Sequence, residues 1–69
     1  MAVKYDKLFH LLIDKKMTTA QLAKRAQVSA NIITRMKRDE YISLESLEKL
    51  CNALDCKMDD IMEFVKKEN

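Results

Sequence analysis

Residues 17–38 read MTTAQLAKRAQVSANIITRMKR and contain two helix starts in close succession. The first is a T-x-x-Q capping box that begins at Thr18, and it predicts a short helix over residues 19–26. The second is Ser29, a residue type that caps helix N-termini well, and it predicts a helix over residues 30–38. Two short helices about three residues apart have the spacing of a helix-turn-helix.

Positive charge is concentrated in the same stretch. From residue 15 to residue 38 the chain has seven basic side chains and no acidic one, although its net charge is only +2. Residues 39–69 hold most of the acidic side chains. From charge alone, a nucleic-acid partner and a merely solvated face explain the basic segment equally well. Its coincidence with the two short helices favours nucleic acid, because unrelated causes would otherwise have to act on the same residues.

Three further helices are predicted outside this stretch, over residues 5–15, 44–54 and 58–65. Apolar residues recur in them at three- and four-residue steps, and Ser43 provides an N-cap for the second. The chain has no glycine and no proline, which argues against β-hairpin turns and Gly-rich phosphate loops. With 48% hydrophobic and 35% charged residues, the sequence predicts a single compact all-α domain over residues 1–69, with five helices on one core.

Neither a membrane span nor an export signal is visible in the sequence. No apolar run exceeds three residues, far short of the roughly 20 that cross a bilayer. Residues 1–6 have no apolar stretch typical of a secretory signal. We therefore expect a cytoplasmic protein, with residues 66–69 frayed at its end.

Cys51 and Cys56 allow three interpretations: a disulfide, a metal pair or packing. Thiols in the cytosol stay reduced, which argues against a disulfide. The C-x4-C spacing, with only His10 elsewhere, does not assemble a four-ligand zinc site. Cys51 falls on the apolar face of its predicted helix, so packing is favoured, with redox or metal roles as alternatives. No metal and no cofactor is expected.

The sequence resembles the Cro/C1-type (phage-repressor-like, XRE-type) helix-turn-helix regulators over nearly its whole length, in particular the small stand-alone kind. The matching residues are Leu22-Ala23, Val28-Ser29, Asn31, Ile33, Arg35-Met36, Leu44, Leu47, Leu50-Cys51, Leu54-Asp55-Cys56 and Asp60-Ile61. The resemblance implies a compact five-helix, lambda-repressor-like DNA-binding domain. Its third helix, over residues 30–38, enters the DNA major groove, usually in a dimer on a two-fold site. Ala23 then takes the family's small-residue position, where the two motif helices approach closely.

The chain departs from the family pattern at two turns. Gln27 and Asp39 stand where the family usually has glycine, and both positions typically need a left-handed backbone. Asp tolerates that conformation fairly well, whereas Gln costs about 1 kcal/mol. The motif remains credible at that cost.

Helix geometry predicts the DNA contacts once Ile33 and Met36 are assigned to the core. The opposite face, predicted to touch bases, is Ala30, Asn31, Thr34 and Arg35. Asparagine can pair bidentately with adenine, and arginine with guanine. The predicted phosphate contacts are Thr18, Thr19, Lys24, Ser29, Lys37 and Arg38. A solvating role for Asn31 and a surface salt bridge for Arg35 are the alternatives.

The sequence predicts a non-enzymatic protein. Asp59 and Asp60 are adjacent and diverge around a helix, and no Ser/His/Asp or Cys/His constellation can be placed. The predicted function is a sequence-specific transcriptional regulator, repressor or activator, whose partners are double-stranded DNA and a second copy, without membrane or small-molecule ligand. The alternative is a protein-interaction module on the same fold, an antitoxin or an antagonist of another regulator. Its candidate patch, which would serve a homodimer equally well, is Phe9, Ile42, Phe64 and Val65.

Overall fold

Four α-helices and a two-stranded ribbon make up the computed structural model, which describes residues 2–66. In chain order the elements are β1 (Ala2–Lys4), α1 (Asp6–Asp14), α2 (Thr19–Ala26), α3 (Ala30–Lys37), α4 (Leu44–Leu54), one 3-10 turn (Met58–Asp60) and β2 (Glu63–Val65). The first four predicted helices are therefore present, α2 and α4 with the predicted bounds. Of the predicted frayed tail, residues 67–69 lie outside the described part of the chain.

The prediction of a fifth helix over residues 58–65 is wrong. Met58–Asp60 forms a single 3-10 turn, and β2 then pairs antiparallel with β1, with Val3 opposite Phe64. Ile61 and Met62 between them are both buried, so two consecutive side chains face the core. The absence of glycine and proline disfavours a tight hairpin turn. These two strands do not need such a turn, because they are far apart in the sequence. A pairing partner about 60 residues away overrode the local helical spacing.

One core holds the elements together. Its buried side chains are Val3, Tyr5, Leu8, Leu12, Leu22, Ala23, Ala26, Ile33, Met36, Leu47, Leu50, Cys51, Leu54, Ile61 and Met62. Within residues 2–66 no charged or polar side chain other than tyrosine and cysteine is buried. Every α-helix contributes to this cluster, which fixes α3 relative to the rest of the domain.

All four α-helices of the described chain end in the same way. Each is followed by a non-glycine residue in the left-handed conformation, with φ between 52° and 60°: Lys16, Gln27, Asp39 and Asp55. The N–H of the next residue then bonds to the carbonyl five residues back, and the left-handed residue bonds three back, which is the Schellman motif. The left-handed backbone expected at Gln27 and Asp39 is confirmed; it was not foreseen at Lys16 and Asp55.

The Schellman motif also brings two residues next to each other at each helix end. One residue donates its backbone N–H in the last hydrogen bond of the motif, and the other, five positions earlier, accepts it with its carbonyl. The four pairs are Leu12 and Met17, Ala23 and Val28, Arg35 and Glu40, and Cys51 and Cys56. Two pairs are apolar, one is ionic and one consists of two thiols.

Gln27→Gly is expected to raise the free energy of unfolding by about 0.5–1 kcal/mol. A left-handed backbone costs a residue with a β-carbon about 1–2 kcal/mol, and glycine avoids that cost while adding freedom to the unfolded chain. Urea denaturation measures the change. Gln27→Ala is the control, because alanine keeps the β-carbon; equal stabilisation by alanine would show that the backbone conformation is not the cause.

Tyr5 ties the loop between α3 and α4 to the core. Its side chain is 1% exposed, and its hydroxyl donates a 2.7 Å hydrogen bond to the backbone oxygen of Glu40. Burial, and next the charge of Asp39, raise the pKa of this phenol above its ordinary value of 10.0. The neutral phenol is therefore the form that the folded protein holds.

Tyr5→Phe is expected to lower the free energy of unfolding by about 1–2 kcal/mol, because the Glu40 carbonyl loses its partner. Since the folded pKa is raised, the stability from Tyr5 is full below pH 10 and is lost as pH rises through the folded pKa. The difference between parent and variant should accordingly shrink above pH 10. Denaturation at a series of pH values measures it, and a difference that grows with pH would contradict the assignment.

Candidate nucleic-acid interface

The helix pair predicted from residues 17–38 is formed by α2 and α3. Thr18 and Gln21 make the expected capping box: each backbone N–H bonds to the other's side chain, at 2.9 and 3.1 Å. Gln27 turns the chain in its left-handed conformation, and α3 begins directly after Ser29. Ala23, which the family resemblance places at the small-residue position, is buried at 8% exposure, and its carbonyl accepts the Val28 N–H.

The outer face of α3 is exposed where the prediction places base contacts. Ile33 and Met36 are buried, at 3% and 0% exposure, and anchor the opposite side of the helix. Ala30, Asn31 and Thr34 are all exposed. The Thr34 hydroxyl donates a 3.2 Å hydrogen bond to the Ala30 carbonyl, which fixes the orientation of the Thr34 side chain. The face is small and polar apart from the alanine.

Arg35 is fastened to the loop that follows α3. Its Nε donates to the Glu40 carboxylate at 3.3 Å, and its Nη2 donates to the Tyr41 carbonyl at 2.7 Å. The side chain remains 40% exposed. Because a guanidinium carries five N–H donors, three remain after these two bonds. The surface salt bridge that was the alternative to a base contact for Arg35 is therefore present. The remaining N–H groups of the guanidinium can still donate to another partner.

Glu40 is an acidic group beside the arginines of α3 that was not among the predicted site residues. Its carboxylate lies 3.3 Å from Arg35 and 3.9 Å from Nη1 of Arg38. The Schellman motif at Asp39 explains its position, since it sets residues five apart side by side. An arginine and a glutamate five residues apart, with Asp39 at the helix end between them, form a sequence pattern from which this ion pair could have been predicted.

The predicted phosphate contacts lie at several places on the surface. Thr18, Lys24, Ser29, Lys37 and Arg38 are exposed, and Thr19 is partly so. Ser29 is the N-cap of α3, as predicted, and has the extended backbone of that position, but its hydroxyl makes no capping hydrogen bond. The first N–H groups of α3 therefore have no capping side chain from Ser29. Such N–H groups attract anions.

Comparison with known proteins agrees with this geometry. Residues 7–67 match the family model of the Cro/C1-type HTH DNA-binding domain. This chain belongs to that family. It is also similar to a crystal structure of the transcriptional regulator VanUg (Form II), with 33% sequence identity and a TM-score of 0.89. That likeness covers 96% of this chain and 88% of the other. No curated protein sequence matches this chain.

The predicted family and fold class are thus confirmed, apart from the last of the five helices. Within residues 2–66 of this Cro/C1-type domain, no helix is long and apolar enough to span a bilayer. In the candidate apolar patch, Phe64 is 59% exposed, whereas Phe9, Ile42 and Val65 are partly buried. Phe9 and Ile42 pack against the core.

A second basic surface of this Cro/C1-type domain lies where α1 ends and α2 begins. It is an open concavity of about 500 Å³ lined by Lys15, Lys16, Met17, Gln21, Lys24 and Arg25. The structure thus brings together Lys24, one of the predicted phosphate contacts, and Lys15, Lys16 and Arg25, for which phosphate contact and simple solvation were both open. Four cations around one concavity raise the local positive potential.

Cys51 and Cys56 are free thiols in this Cro/C1-type domain, the first buried and the second partly buried. Burial raises the pKa of both, that of Cys56 to about 11. Neither is therefore a thiolate to any extent at neutral pH. Among the described residues no group of three His, Cys, Asp or Glu side chains could hold a metal ion. Cys51 belongs to the core cluster, as the packing interpretation predicts.

Proposed function

We propose that this chain is a sequence-specific, double-stranded-DNA-binding transcriptional regulator that reads its site with α3. The observation that carries the proposal is the two-sided character of this helix. Ile33 and Met36 fix one side to the core, while Ala30, Asn31 and Thr34 stand exposed on the other. Family membership supports the same role. The protein acts in the cytoplasm and needs no catalytic group.

Base readout is assigned to the N-terminal half of α3, the part that reaches base edges in helix-turn-helix proteins. Asn31 pairs with adenine, and the Ala30 methyl group contacts a thymine methyl. Thr34 contributes from the next turn. Arg35 donates to guanine with the N–H groups that Glu40 and Tyr41 leave free.

Phosphate contacts hold the helix in place on the duplex. Ser29 offers an uncommitted hydroxyl beside the N–H groups that open α3. Thr18 and Thr19 lie where α2 begins, and the Thr18 hydroxyl already accepts the Gln21 N–H, so their contribution comes from the start of the helix. Lys24, Lys37 and Arg38 supply charge, the last with a side chain 71% exposed. Lys24 extends this contact toward the basic concavity at the start of α2.

The complex contains two copies of the chain on a two-fold site. One recognition helix covers only a half-site, and specific affinity usually needs two half-sites about one helical turn apart. The contact between the two copies is assigned to α4 and β2, since residues 58–65 form no fifth helix. Leu44 and Phe64, 69% and 59% exposed, are the apolar side chains proposed for it. Light scattering of the complex tests this, and one chain per saturated site would contradict it.

The experiment that tests the function is selection of bound duplexes from a random pool, followed by fluorescence anisotropy over a salt series. A selected duplex should bind more tightly than a scrambled one, and both affinities should fall steeply with salt. Absence of duplex binding at low salt would overturn the proposal. Salt-insensitive capture of a protein partner would instead favour the interaction module.

Lys37→Ala is expected to weaken binding to selected and scrambled duplexes equally. An exposed lysine at the end of α3 meets phosphate, so the log-affinity versus log-salt slope should become shallower by about one unit. Lys49→Ala removes the same charge on α4, where Lys49 pairs with Glu45, and serves as the control. Equal losses in the two variants would show only a net-charge effect.

A further inference from the structure

The end of α4 brings two cysteines next to each other. Asp55 has a left-handed backbone, and the Cys56 N–H donates to the Cys51 carbonyl at 3.1 Å. Asp55 itself bonds back to Asn52, which completes the Schellman motif and sets the two cysteine side chains side by side. The two side chains are near enough for each to shift the pKa of the other.

This contact is not required by the way the helix ends. The same motif at the other three α-helices joins Leu12 with Met17, Ala23 with Val28, and Arg35 with Glu40. Apolar and ionic pairs therefore satisfy it equally well. Among the described helices, α4 alone brings together two groups that can form a covalent bond.

The backbone geometry also suits a disulfide. Such a bond needs α-carbons about 4.4–6.8 Å apart with the β-carbons facing each other. A direct backbone hydrogen bond between Cys51 and Cys56 keeps the two residues adjacent, and each side chain is near enough to shift the pKa of the other. We propose that Cys51 and Cys56 are a modification site, at which a small disulfide such as oxidised glutathione converts the two thiols into a reversible intramolecular disulfide.

The chemistry proceeds by two thiol–disulfide exchanges. Cys56 is the more exposed thiol, and after losing its proton it attacks the small disulfide, forming a mixed disulfide and releasing one thiolate. Cys51 then loses its proton and attacks the Cys56 sulfur, which releases the second thiolate. The two released thiolates take up the two protons. Two protein thiols are thus oxidised while one small disulfide is reduced to two thiols.

Burial makes this reaction slow at neutral pH, because it raises the pKa of Cys56 to about 11 and that of Cys51 as well. The charged groups around the pair work in both directions: Asp60 raises the pKa of both thiols, and Lys15 lowers that of Cys56. The other titratable groups lining the same surface are Lys7, His10, Asp14 and Asp55. The oxidation rate should therefore rise about tenfold per pH unit below pH 10.

The parent protein with oxidised glutathione at pH 9 provides the test. The expected product has lost two hydrogen atoms by intact-mass measurement, and a peptide map joins Cys51 to Cys56. Because the bond restricts the unfolded chain without distorting the fold, Tm should rise by about 5–10 °C and return after dithiothreitol. Disulfide-linked dimers, a lasting glutathione adduct, no mass change or an unchanged Tm would overturn the proposal.

Single variants distinguish the thiol that attacks the small disulfide from the thiol that resolves the mixed disulfide. Cys51→Ser leaves the accessible thiol without its partner, so Cys56 should keep one glutathione as a stable adduct. Cys56→Ser leaves only the buried thiol, which should react far more slowly. If Cys51→Ser does not fold, Cys51→Ala gives the same readout, and the parent's mass change stands independently of both. An adduct that Cys51→Ser and the parent retain equally would show that the two thiols do not react together.

Discussion

Arg35→Ala is expected to reduce the preference for a selected duplex over a scrambled one by about tenfold, within the 1–3 kcal/mol that a base contact provides. It should also lower the free energy of unfolding by about 1 kcal/mol, because the Tyr41 carbonyl and the Glu40 carboxylate lose their partner. Anisotropy with both duplexes and urea denaturation measure the two effects separately. A loss of stability with unchanged preference would make Arg35 a positioning residue only.

Glu40→Gln is the matched variant. It removes the negative charge beside Arg35 and Arg38 while keeping the size of the side chain. Affinity for every duplex should rise severalfold, since a carboxylate near the phosphates repels them. The preference between duplexes should persist, because the guanidinium keeps its bond to the Tyr41 carbonyl. A fall in affinity would mean that the ion pair itself holds Arg35 in its reading position.

Met36→Ala is expected to lower the free energy of unfolding by about 2–5 kcal/mol, because the truncation leaves a cavity in the core. Met36 is fully buried and anchors α3 in the core. A 69-residue domain has only about 3–10 kcal/mol in total, so a large fraction of the molecules should unfold. Duplex binding should fall in proportion. Urea denaturation and far-ultraviolet circular dichroism measure the change.

Two controls isolate the cavity as the cause. Met36→Leu keeps nearly the same volume and should cost less than about 1.5 kcal/mol. Met58→Ala makes the same chemical change at a side chain that is 37% exposed and should cost much less than Met36→Ala. Similar losses at residues 36 and 58 would contradict the assignment of α3 to the core.

The helices that present the candidate site were predictable because their signals are local. A capping box at Thr18 and a serine at Ser43 mark where α2 and α4 begin, and both hydroxyls accept the expected backbone N–H. Apolar spacing then assigned Ile33 and Met36 to the core without any knowledge of neighbours. The left-handed residues that end α1 and α4 are harder to predict, because neither is a glycine. Nothing in the sequence distinguishes Lys16 and Asp55 from other polar residues.

The remaining features depend on partners that the spacing of apolar residues does not reveal. β2 forms because residues 2–4 lie beside it, and the sequence alone predicted a helix there. Arg35 turns toward Glu40 and Tyr41 because the chain bends at Asp39, so an outward helix position did not give its full set of contacts. The contact between Cys51 and Cys56 has the same origin at Asp55. At a helix end, the conformation of the turn determines which residues a side chain contacts, and helical periodicity alone does not predict them.

The pairing of β1 with β2 has a consequence for the order in which the chain folds. Ala2 lies opposite Val65, so forming the ribbon closes a loop of about 60 residues, whereas the contacts between α2 and α3 close much shorter ones. Closure entropy delays such distant contacts until the helices have packed, so the ribbon forms late. In the native state its few hydrogen bonds open before the helical core does. Amide protons of the ribbon should therefore exchange with solvent sooner than those of Leu22 or Leu50, and a nascent chain can pack its helices before its last strand is available.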